Sequence, residues 1–233
     1  MDLFVIGPAG SGKSSFVKSF SEFLSEQDYS VQCVNLDPAT PPLYKTSADI
    51  RRYVKTEEVM RTFQLGVNSA LMKSVDISLQ YIDQLPCDAD IILYDTPGQM
   101  ELFIYSTSGR QVVERLSGPC AAGLFLMDVT IIQDPESFLS TVMQNVIVSL
   151  RLTIPTLTVF SKSDLISIDI NQLKKKISTQ KGALSELLEK VMFFIEYTTL
   201  PQKPMTISNL TKEGFPDLFA AIHELFCSCG DLS

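Results

Sequence analysis

The chain has 233 residues, enough for one large α/β domain or two small ones, and its 45% hydrophobic residues can fill a sizeable core. It contains no run of about 18 apolar residues, so we expect no membrane span. The net charge of −8 argues against broad nucleic-acid binding, which relies on basic patches, but leaves room for a basic protein partner.

The start of the chain and its cysteines favour a cytoplasmic protein. Met1-Asp2 leads directly into an apolar stretch without a basic region or a cleavage site, so we expect no signal peptide. Five irregularly spaced cysteines do not form a disulfide framework, which fits a reducing compartment. Cys227 and Cys229 lack the second pair that a zinc site requires, and ordinary small residues at a helix end are the favoured interpretation.

The first motif in chain order is GPAGSGKSS, which predicts a phosphate-binding loop. It follows an apolar run at 3–6 and precedes helically spaced phenylalanines, the strand–turn–helix context of a P-loop. Its glycines allow backbone N–H groups to surround an anion, its lysine supplies charge for phosphates, and its serine hydroxyl suits Mg²⁺. A chance glycine-rich turn is the alternative. The predicted nucleotide-binding residues are Gly7, Pro8, Ala9, Gly10, Ser11, Gly12, Lys13, Ser14 and Ser15.

A second strand is predicted at 31–36, and it ends at Asp37-Pro38. Ligands of α/β sheets bind at the carboxyl ends of the strands, so Asp37 can face the phosphates or their metal. An aspartate that only closes the turn before the proline is an equally supported alternative on local sequence.

Between about 48 and 86 the chain departs from simple strand–helix alternation. Thr56 and the glutamates after it resemble a capping box that opens a short helix. A tight Gly-x-Asn turn within Gln64–Ser69 interrupts this helix, and helical spacing resumes over 70–85. We predict that 48–86 is a helical insertion within one domain that covers 1–233.

A third strand, at 90–94, runs into Asp95-Thr96-Pro97-Gly98. The aspartate resembles a Walker-B carboxylate, which holds Mg²⁺ directly or through water. Gly98 leaves room for its backbone N–H to approach a γ-phosphate. The DxxG pattern is weak alone, but it is strong after an apolar strand and downstream of a P-loop.

The second half of the chain continues the alternation of strands and helices without a repeat or a linker, which predicts one doubly wound sheet. We expect the single histidine, His223, to be exposed or partly packed rather than catalytic. The predicted elements are a helix at 101–116, a strand at 121–127, a helix from Asp134, a strand at 155–160, helical structure at 170–194, a short strand at 205–207 and a closing helix from Phe215.

The segment Ser161-Lys162-Ser163-Asp164 follows the fifth strand and indicates guanine. Lys-x-Asp at this place resembles the base motif of GTPases, (N/T)KxD. The Asp164 carboxylate can accept hydrogen bonds from N1–H and the 2-amino group of guanine, which adenine does not offer. The stem of Lys162 can lie over the base. Ser161 departs from the pattern but retains one hydrogen bond, so we expect weaker ordering of the loop rather than loss of guanine preference.

Together these motifs resemble the GPN-loop GTPases, a dimeric branch of P-loop GTPases related to signal-recognition and MinD-type proteins. The resemblance implies a three-layer α/β P-loop NTPase fold of the SIMIBI type, with a mostly parallel sheet. The family's Gly-Pro-Asn loop corresponds to Gly66-Val67-Asn68, and Ser69 replaces a second glycine. The matching segments are GPAGSGKSS, VNLDPA, ADIR, Gln64–Leu71, DTPGQME, SKSD, and Ser208 with TKEGF at 211–215.

The same resemblance implies roles for individual residues. Asn68 would reach across a homodimer interface to the γ-phosphate of the partner, and Asp37 would hold the attacking water and its metal. Gln99 and Glu101 would orient water or the loop after Asp95. The implied metal ligands are Ser14, Asp37 and Asp95, and the implied nucleotide ligands beyond the P-loop are Gly98, Ser161, Lys162, Asp164, Ser208 and Asn209.

In family terms the chain resembles the compact, archaeal-type form, and its output would be assembly of a partner complex such as RNA polymerase. Two alternatives remain open at this point. A small-molecule kinase shares the P-loop, but its arginine-rich lid is not visible in the sequence. A nucleotide-binding scaffold with little turnover would explain the departures at Val67, Ser69 and Ser161, and it predicts that Asn68→Ala and Gln99→Ala leave hydrolysis unchanged.

Overall fold

The computed structural model describes residues 1–85, 88–132, 134–166 and 204–230, with four further positions at 186, 190, 191 and 193. The strands are β1 Asp2–Ile6, β2 Val31–Asn35, β3 Ala48–Asp49, β4 Ile91–Asp95, β5 Ala121–Asp128, β6 Thr156–Ser161 and β7 Met205–Thr206. The helices are α1 Lys13–Ser25, α2 Thr56–Phe63, α3 Val67–Ser78, α4 Met100–Ile104, α5 Thr107–Leu116, α6 Pro135–Leu152 and α7 Phe215–Gly230.

These strands form one sheet in the order β3-β2-β4-β1-β5-β6-β7. All strand pairs in the described part of the chain are parallel. The register brings Asp95, the last residue of β4, beside Val5 of β1 and Asn35 of β2. Because parallel strands end at the same edge, the segments that follow β1, β2 and β4 meet there.

Helices cover both faces of the sheet, and β1 shows how the sequence separates them. Leu3 and Val5 pack in a cluster with the apolar faces of α1 and α7. Phe4 and Ile6 point to the opposite face and join a second cluster that includes residues of α4, α5 and α6. The predicted three-layer α/β architecture is confirmed. In the described part of the chain, no helix has the length and apolarity needed to span a bilayer.

An aromatic cluster fastens α7 to α1. The Phe215 ring is fully buried and lies 5.8 Å from Phe16, 5.2 Å from Phe20 and 5.7 Å from Phe23, in edge-on geometries. Such pairs add to the free energy gained from apolar burial. His223 is partly buried and lies 4.4 Å from the Phe219 ring, in line with the expectation of a packed histidine.

The helical insertion differs from prediction in three details. It begins with a short strand, β3, which pairs with β2. The capping-box prediction is wrong, because Lys55 is the N-cap of α2 and the buried Thr56 hydroxyl has no partner in the described structure. The chain reverses at Gln64, which has a left-handed conformation (φ 52°). Gly66 is therefore the N-cap of α3, and Asn68 lies in the first helical turn instead of in a separate loop.

The helix predicted over 101–116 is two helices, α4 and α5. The break occurs because the Ser106 hydroxyl accepts a hydrogen bond from the Gly109 backbone N–H at 2.9 Å and caps α5. A Cβ at Gly109 would lie 2.0 Å from the Phe103 carbonyl oxygen, so the glycine permits this close turn. Of the helix predicted at 170–194, the described positions 186, 190, 191 and 193 are helical, and the rest lies outside the described residues, as do Cys87 and the side chains of Cys227 and Cys229.

Removal of the Phe215 ring should destabilise the whole protein, because α7 would lose its contacts with three rings of α1. We expect Phe215→Ala to lower the free energy of unfolding by about 3–5 kcal/mol in urea titrations followed by circular dichroism. Leu150→Ala is the control, since this side chain is 72% exposed, and its effect should stay below about 0.5 kcal/mol. Equal effects of the two variants would contradict a central role for the aromatic cluster.

Candidate nucleotide-binding site

The loop between β1 and α1 requires glycine for steric reasons. Gly12 is the N-cap of α1 and has φ 88°, in the left-handed region that disfavours other residues. A Cβ at Gly7 would lie 2.2 Å from the Leu126 carbonyl oxygen of β5. The loop therefore lies tightly against the sheet and leads directly into the first turn of α1, where backbone N–H groups favour an anion.

Lys13 is buried beneath this loop. Its ammonium group donates to the carbonyl oxygens of Gly7 at 2.8 Å and Pro8 at 3.0 Å. Burial lowers the pKa of Lys13, while the negative charges of Asp95, Asp37 and Glu101 act in the opposite direction. The lysine is thus a cation held by neutral oxygens and surrounded by carboxylates, ready to interact with an added anion.

Asp95 lies at the end of β4 and is almost fully buried. Its Oδ2 accepts hydrogen bonds from the Ser14 hydroxyl at 2.7 Å and the Tyr44 hydroxyl at 3.1 Å. Its Oδ1 is buried and accepts no hydrogen bond from any residue that the structure describes. Burial raises the pKa of Asp95 to about 6. Burial also raises the pKa of Tyr44, which keeps this residue a neutral donor.

Ser14 and Asp95 carry the type of oxygen atoms that coordinate Mg²⁺. Mg²⁺ prefers hard oxygen ligands and is usually held by one or two protein groups together with phosphate oxygens and water. The unpaired Oδ1 of Asp95 and the neighbouring hydroxyl oxygen of Ser14 are potential metal ligands of this kind. Among the described residues no group of three His, Cys, Asp or Glu side chains could hold a metal. With Ser14 and Asp95 as protein ligands, the other positions around a cation would be left to phosphate oxygens or water.

Asp37 joins two loops at the sheet edge. Its Oδ1 accepts from the Ala39 backbone N–H at 2.8 Å, which closes the turn after β2. Its Oδ2 accepts from the Gly98 backbone N–H at 3.2 Å, in the loop after β4. Both sequence-based interpretations of Asp37 thus describe part of its geometry: it closes a turn, and it also faces the predicted phosphate side.

A cavity of about 260 Å³ opens between the P-loop and these two loops. It brings together five residues predicted from separate motifs, Lys13, Ser14, Asp37, Asp95 and Gly98. Sequence reasoning missed Asn35, Thr40 and Thr96 in its lining, and it missed Tyr44, whose hydroxyl reaches Asp95. The remaining lining residues are Ala9, Gly10, Gly12, Ser15, Pro42 and Leu43.

The predicted base motif lies against the P-loop. The buried Ser161 hydroxyl donates to the Ser11 carbonyl oxygen at 2.7 Å and lies 3.3 Å from the Met127 carbonyl oxygen. The hydroxyl has one hydrogen to donate, so Ser161 makes the one hydrogen bond expected from the sequence, and this bond joins the segment to the P-loop. Lys162 has a left-handed backbone (φ 64°), and its ammonium group contacts Asp128 at 2.5 Å.

Asp164 is exposed and lies beside the loop after β7. Its Oδ1 accepts from the Ser208 hydroxyl at 2.6 Å, and Ser208 also accepts from the backbone N–H of Thr211 at 3.2 Å. Asn209 donates from Nδ2 to the Gly12 carbonyl oxygen at 3.2 Å. The residues predicted for the base and those at 208–209 thus form one continuous surface with the P-loop.

Three predicted catalytic residues lie elsewhere on the surface. Asn68, Gln99 and Glu101 are all exposed, and the described lining of the cavity includes none of them. Gln99 precedes α4 as its N-cap, and Glu101 lies in the first turn of α4. Glu101 still acts on Lys13 electrostatically, whereas Asn68 belongs to the first turn of α3.

Comparison with known proteins places these features in a family. The family model described as "Conserved hypothetical ATP binding protein" matches residues 5–228. The chain is 30% identical over 252 residues to GPN-loop GTPase PAB0955 of Pyrococcus abyssi, with 100% of both chains covered. The structure of that GTPase, solved in its apo form, superposes with a TM-score of 0.84 and covers 98% of each chain.

Two eukaryotic relatives match different shares of the chain. GPN-loop GTPase QQT1 of Arabidopsis thaliana is 36% identical over 172 residues, which cover 70% of this chain and 58% of the relative. GPN-loop GTPase 1 of Dictyostelium discoideum is 26% identical over 241 residues, which cover 95% of this chain and 60% of the relative. The match over the full length of the Pyrococcus protein, in sequence and in fold, shows that the chain belongs to the GPN-loop GTPase family.

Proposed function

We propose that this GTPase binds GTP and Mg²⁺ at the sheet edge and works as a switch, one site in each half of a homodimer. The observation that supports the site most directly is Asp95. Its buried carboxylate receives only the neutral hydroxyls of Ser14 and Tyr44, and its Oδ1 has no partner in the described structure. A buried carboxylate left in this state indicates a place for a cation.

The base is proposed to be guanine. The matching family model names ATP in its description, whereas the curated relatives carry the name GTPase. We favour guanine because the exposed carboxylate of Asp164 is held by Ser208 and is a hydrogen-bond acceptor. Guanine presents two N–H donors to such an acceptor, and adenine presents neither, so adenine would leave the carboxylate unpaired.

Within this proposal four residues of the cavity have defined roles. Lys13 exchanges the carbonyl oxygens of Gly7 and Pro8 for phosphate oxygens and neutralises their charge. Ser14 and Asp95 hold Mg²⁺, which neutralises developing charge on the phosphates when it is bound. Asp37 orients the attacking water, and its bond to the Gly98 N–H links it to the loop that senses the γ-phosphate.

The proposed homodimer explains the position of Asn68. This residue is exposed at the start of α3, outside the lining of its own cavity. Three apolar side chains near it in sequence are exposed: Phe63 at 49%, Val67 at 53% and Met72 at 46%. A second copy of the chain would cover these side chains and receive the amide of Asn68 at its own phosphate site.

The client and the location are proposed from family membership. We propose a protein complex under assembly as the client, with RNA polymerase as the candidate that the resemblance implies. We also propose the cytoplasm as the location, and the described Cys33 and Cys120, which are free thiols, suit its reducing conditions.

The base preference can be measured by calorimetric titration with GDP and ADP. The wild type should prefer GDP by at least about 1,000-fold, since the discrimination of such a site reaches about four orders of magnitude. Asp164→Ala should reduce this preference to about tenfold or less by weakening GDP binding. Asp217→Ala, an exposed aspartate on α7, is the control and should leave both affinities unchanged. Equal affinity of the wild type for GDP and ADP would refute the guanine assignment.

The action of Asn68 across the dimer can be tested by mixing two inactive variants. Asn68→Ala should lower kcat for GTP at least about tenfold without weakening GDP binding, because the lost donor acts on the γ-phosphate. Lys13→Ala should lose nucleotide binding. After subunit exchange, the mixture should regain roughly a quarter of the wild-type rate, because half of the randomly paired dimers hold one complete site.

The alternatives give different results in the same assay. If Asn68 acted within its own subunit, mixing would restore no activity. If the chain were a scaffold with little turnover, Asn68→Ala and Gln99→Ala would both leave the hydrolysis rate unchanged. If it were a kinase, phosphate release from GTP would require an added acceptor.

The buried charge of Asp95 predicts a stability cost in the metal-free protein. Its folded pKa of about 6 lies above the ordinary value of 3.8, so the folded state holds an extra proton between these values. The stabilisation from that proton is complete below the ordinary value and is lost as the pH rises through about 6. Asp95→Asn should therefore be more stable than the wild type at pH 7.5, by about 3 kcal/mol at 1.36 kcal/mol per pKa unit.

Urea unfolding in EDTA at pH 4, 6 and 7.5 measures this difference. The side-chain amide of the Asp95→Asn variant retains an acceptor for Ser14 and Tyr44, so the comparison isolates the charge. Glu57→Gln, at an exposed position of α2, should show a difference below about 0.5 kcal/mol at every pH. A constant difference between Asp95→Asn and the wild type across this pH range would contradict the prediction.

A further inference from the structure

The Asn35 side chain makes hydrogen bonds to both the N–H and the carbonyl group of the Asp37 backbone. It is the last residue of β2, and it is only 1% exposed. Its Oδ1 accepts from the Asp37 backbone N–H at 3.1 Å, and its Nδ2 lies 3.2 Å from the Asp37 carbonyl oxygen as a donor. One buried side chain therefore engages both backbone polar groups of Asp37.

The amide of Asn35 is itself oriented by Asp49. Its Nδ2 donates to Oδ1 of Asp49 at 2.9 Å, and the same oxygen accepts from the Arg51 backbone N–H at 2.9 Å. A carboxylate accepts but does not donate, so it fixes which end of the amide carries the nitrogen. Asp49 lies in β3, at the start of the segment that leads to α2 and α3.

If position 35 served only to pack the core, we would expect an apolar side chain there. The neighbouring buried residues of this strand and the residue after it are apolar: Cys33, Val34 and Leu36. A buried amide costs free energy unless its hydrogen bonds are made, and an apolar side chain could fill the same space without that cost. The hydrogen bonds of Asn35 are directed to Asp37, Asp49 and, at 3.5 Å, the Thr40 carbonyl oxygen, at the edge of the sheet that holds the cavity.

The position of the Asp37 carboxylate depends on this backbone. Its two oxygens contact the backbone N–H groups of Ala39 and Gly98, which lie in different loops. A shift of the Asp37 backbone would move the carboxylate relative to Gly98 and to the cavity. A displacement on the order of 1 Å at a catalytic group can lower the rate about 100-fold.

We propose that Asn35 is a positioning residue for GTP hydrolysis: it fixes the Asp37 carboxylate at the cavity and is itself oriented by Asp49. This inference rests on the proposed role of Asp37 in hydrolysis. Asn35 lines the cavity, but its side-chain hydrogen bonds go to Asp37, Thr40 and Asp49, and none is made to the P-loop or the base motif in the described structure, so its loss should affect the chemical step more than nucleotide affinity.

The first test compares kcat for GTP with the affinity for GDP in Asn35→Ala. We expect kcat to fall about 10- to 100-fold, while the Kd for GDP changes less than about threefold. Asn145→Ala is the matched control. Asn145 is also a buried amide, 6% exposed, and it donates to the Thr156 carbonyl oxygen at 3.2 Å, away from the cavity. This control should lower Tm and leave kcat unchanged.

The second test asks whether Asn35 acts through Asp37. If it does, Asn35→Ala combined with Asp37→Ala should be no slower than Asp37→Ala alone. A conservative exchange adds a rescue experiment. Asp49→Ala removes the oxygen that orients the Asn35 amide and should be slow, whereas Asp49→Asn can still present an acceptor oxygen to Asn35 and to the Arg51 backbone N–H and should have a kcat at least about threefold higher than Asp49→Ala.

The outcomes separate this inference from the proposed function. If Asn35→Ala folds and retains wild-type kcat, or if its loss adds to that of Asp37→Ala, the assignment of Asn35 is wrong while GTP hydrolysis stands. If the wild type releases no phosphate from GTP, the proposed function fails and the assignment fails with it. If Asn35→Ala does not fold, the two Asp49 variants decide, and equal kcat values for Asp49→Ala and Asp49→Asn overturn the inference.

Discussion

Asp95 joins the sheet to the phosphate cradle, and the geometry of the site depends on its surroundings. Its backbone lies in register with Val5 of β1 and Asn35 of β2, and its carboxylate receives the hydroxyls of Ser14 and Tyr44. Because the strands are parallel, their carboxyl ends and the loops that follow them meet at one edge. The spacing between the P-loop and the loops at 37 and 98 is therefore set by strand register, which the apolar core maintains.

The sequence was most informative where local pattern and chemistry coincide. Glycine spacing before Lys13 identified the P-loop, and apolar runs that end in Asp37 and Asp95 identified two strands and their ligand edge. The structure brings these residues to one cavity. Local signals also placed α6, whose Asp134 caps the helix by accepting from the Ser137 backbone N–H at 2.7 Å.

The errors arose where long-range contacts or backbone conformation decide the structure. Thr56 had the right residue type for a cap, but the chain enters α2 at Lys55. The break between α4 and α5 depends on Ser106, a residue type that also occurs inside helices. Tyr44 gave no local signal, because its partner Asp95 is 51 positions away. The role of Asn35 was missed because Asp49, which orients its amide, is 14 positions away. Such pairs follow from topology rather than from spacing.

The site also shows why nucleotide binding and stability oppose each other in this fold. Burial lowers the pKa of Lys13 and raises that of Asp95, so each group is shifted toward its neutral form while the site is without ligand. Charges of both signs held in a buried cavity are costly for folding and favourable for a phosphate–metal ligand that meets both. Binding of a phosphate–metal ligand offsets this cost. The free energy of unfolding should therefore be higher when the site is occupied.

The helical insertion contacts elements that adjoin both loops that flank the cavity, and these contacts give the insertion a physical link to the site. On one side, Asp49 receives the amide of Asn35. On the other side, the Ser108 hydroxyl of α5 donates to Asp76 of α3, and Arg115 of α5 donates to the Leu79 carbonyl oxygen at 2.9 Å. Since α4 and α5 follow the Gly98 loop directly, a change at either loop reaches α3 through neighbouring contacts. Because Asn68 lies at the start of the same helix, a ligand that favours one arrangement of these loops also biases the position of Asn68.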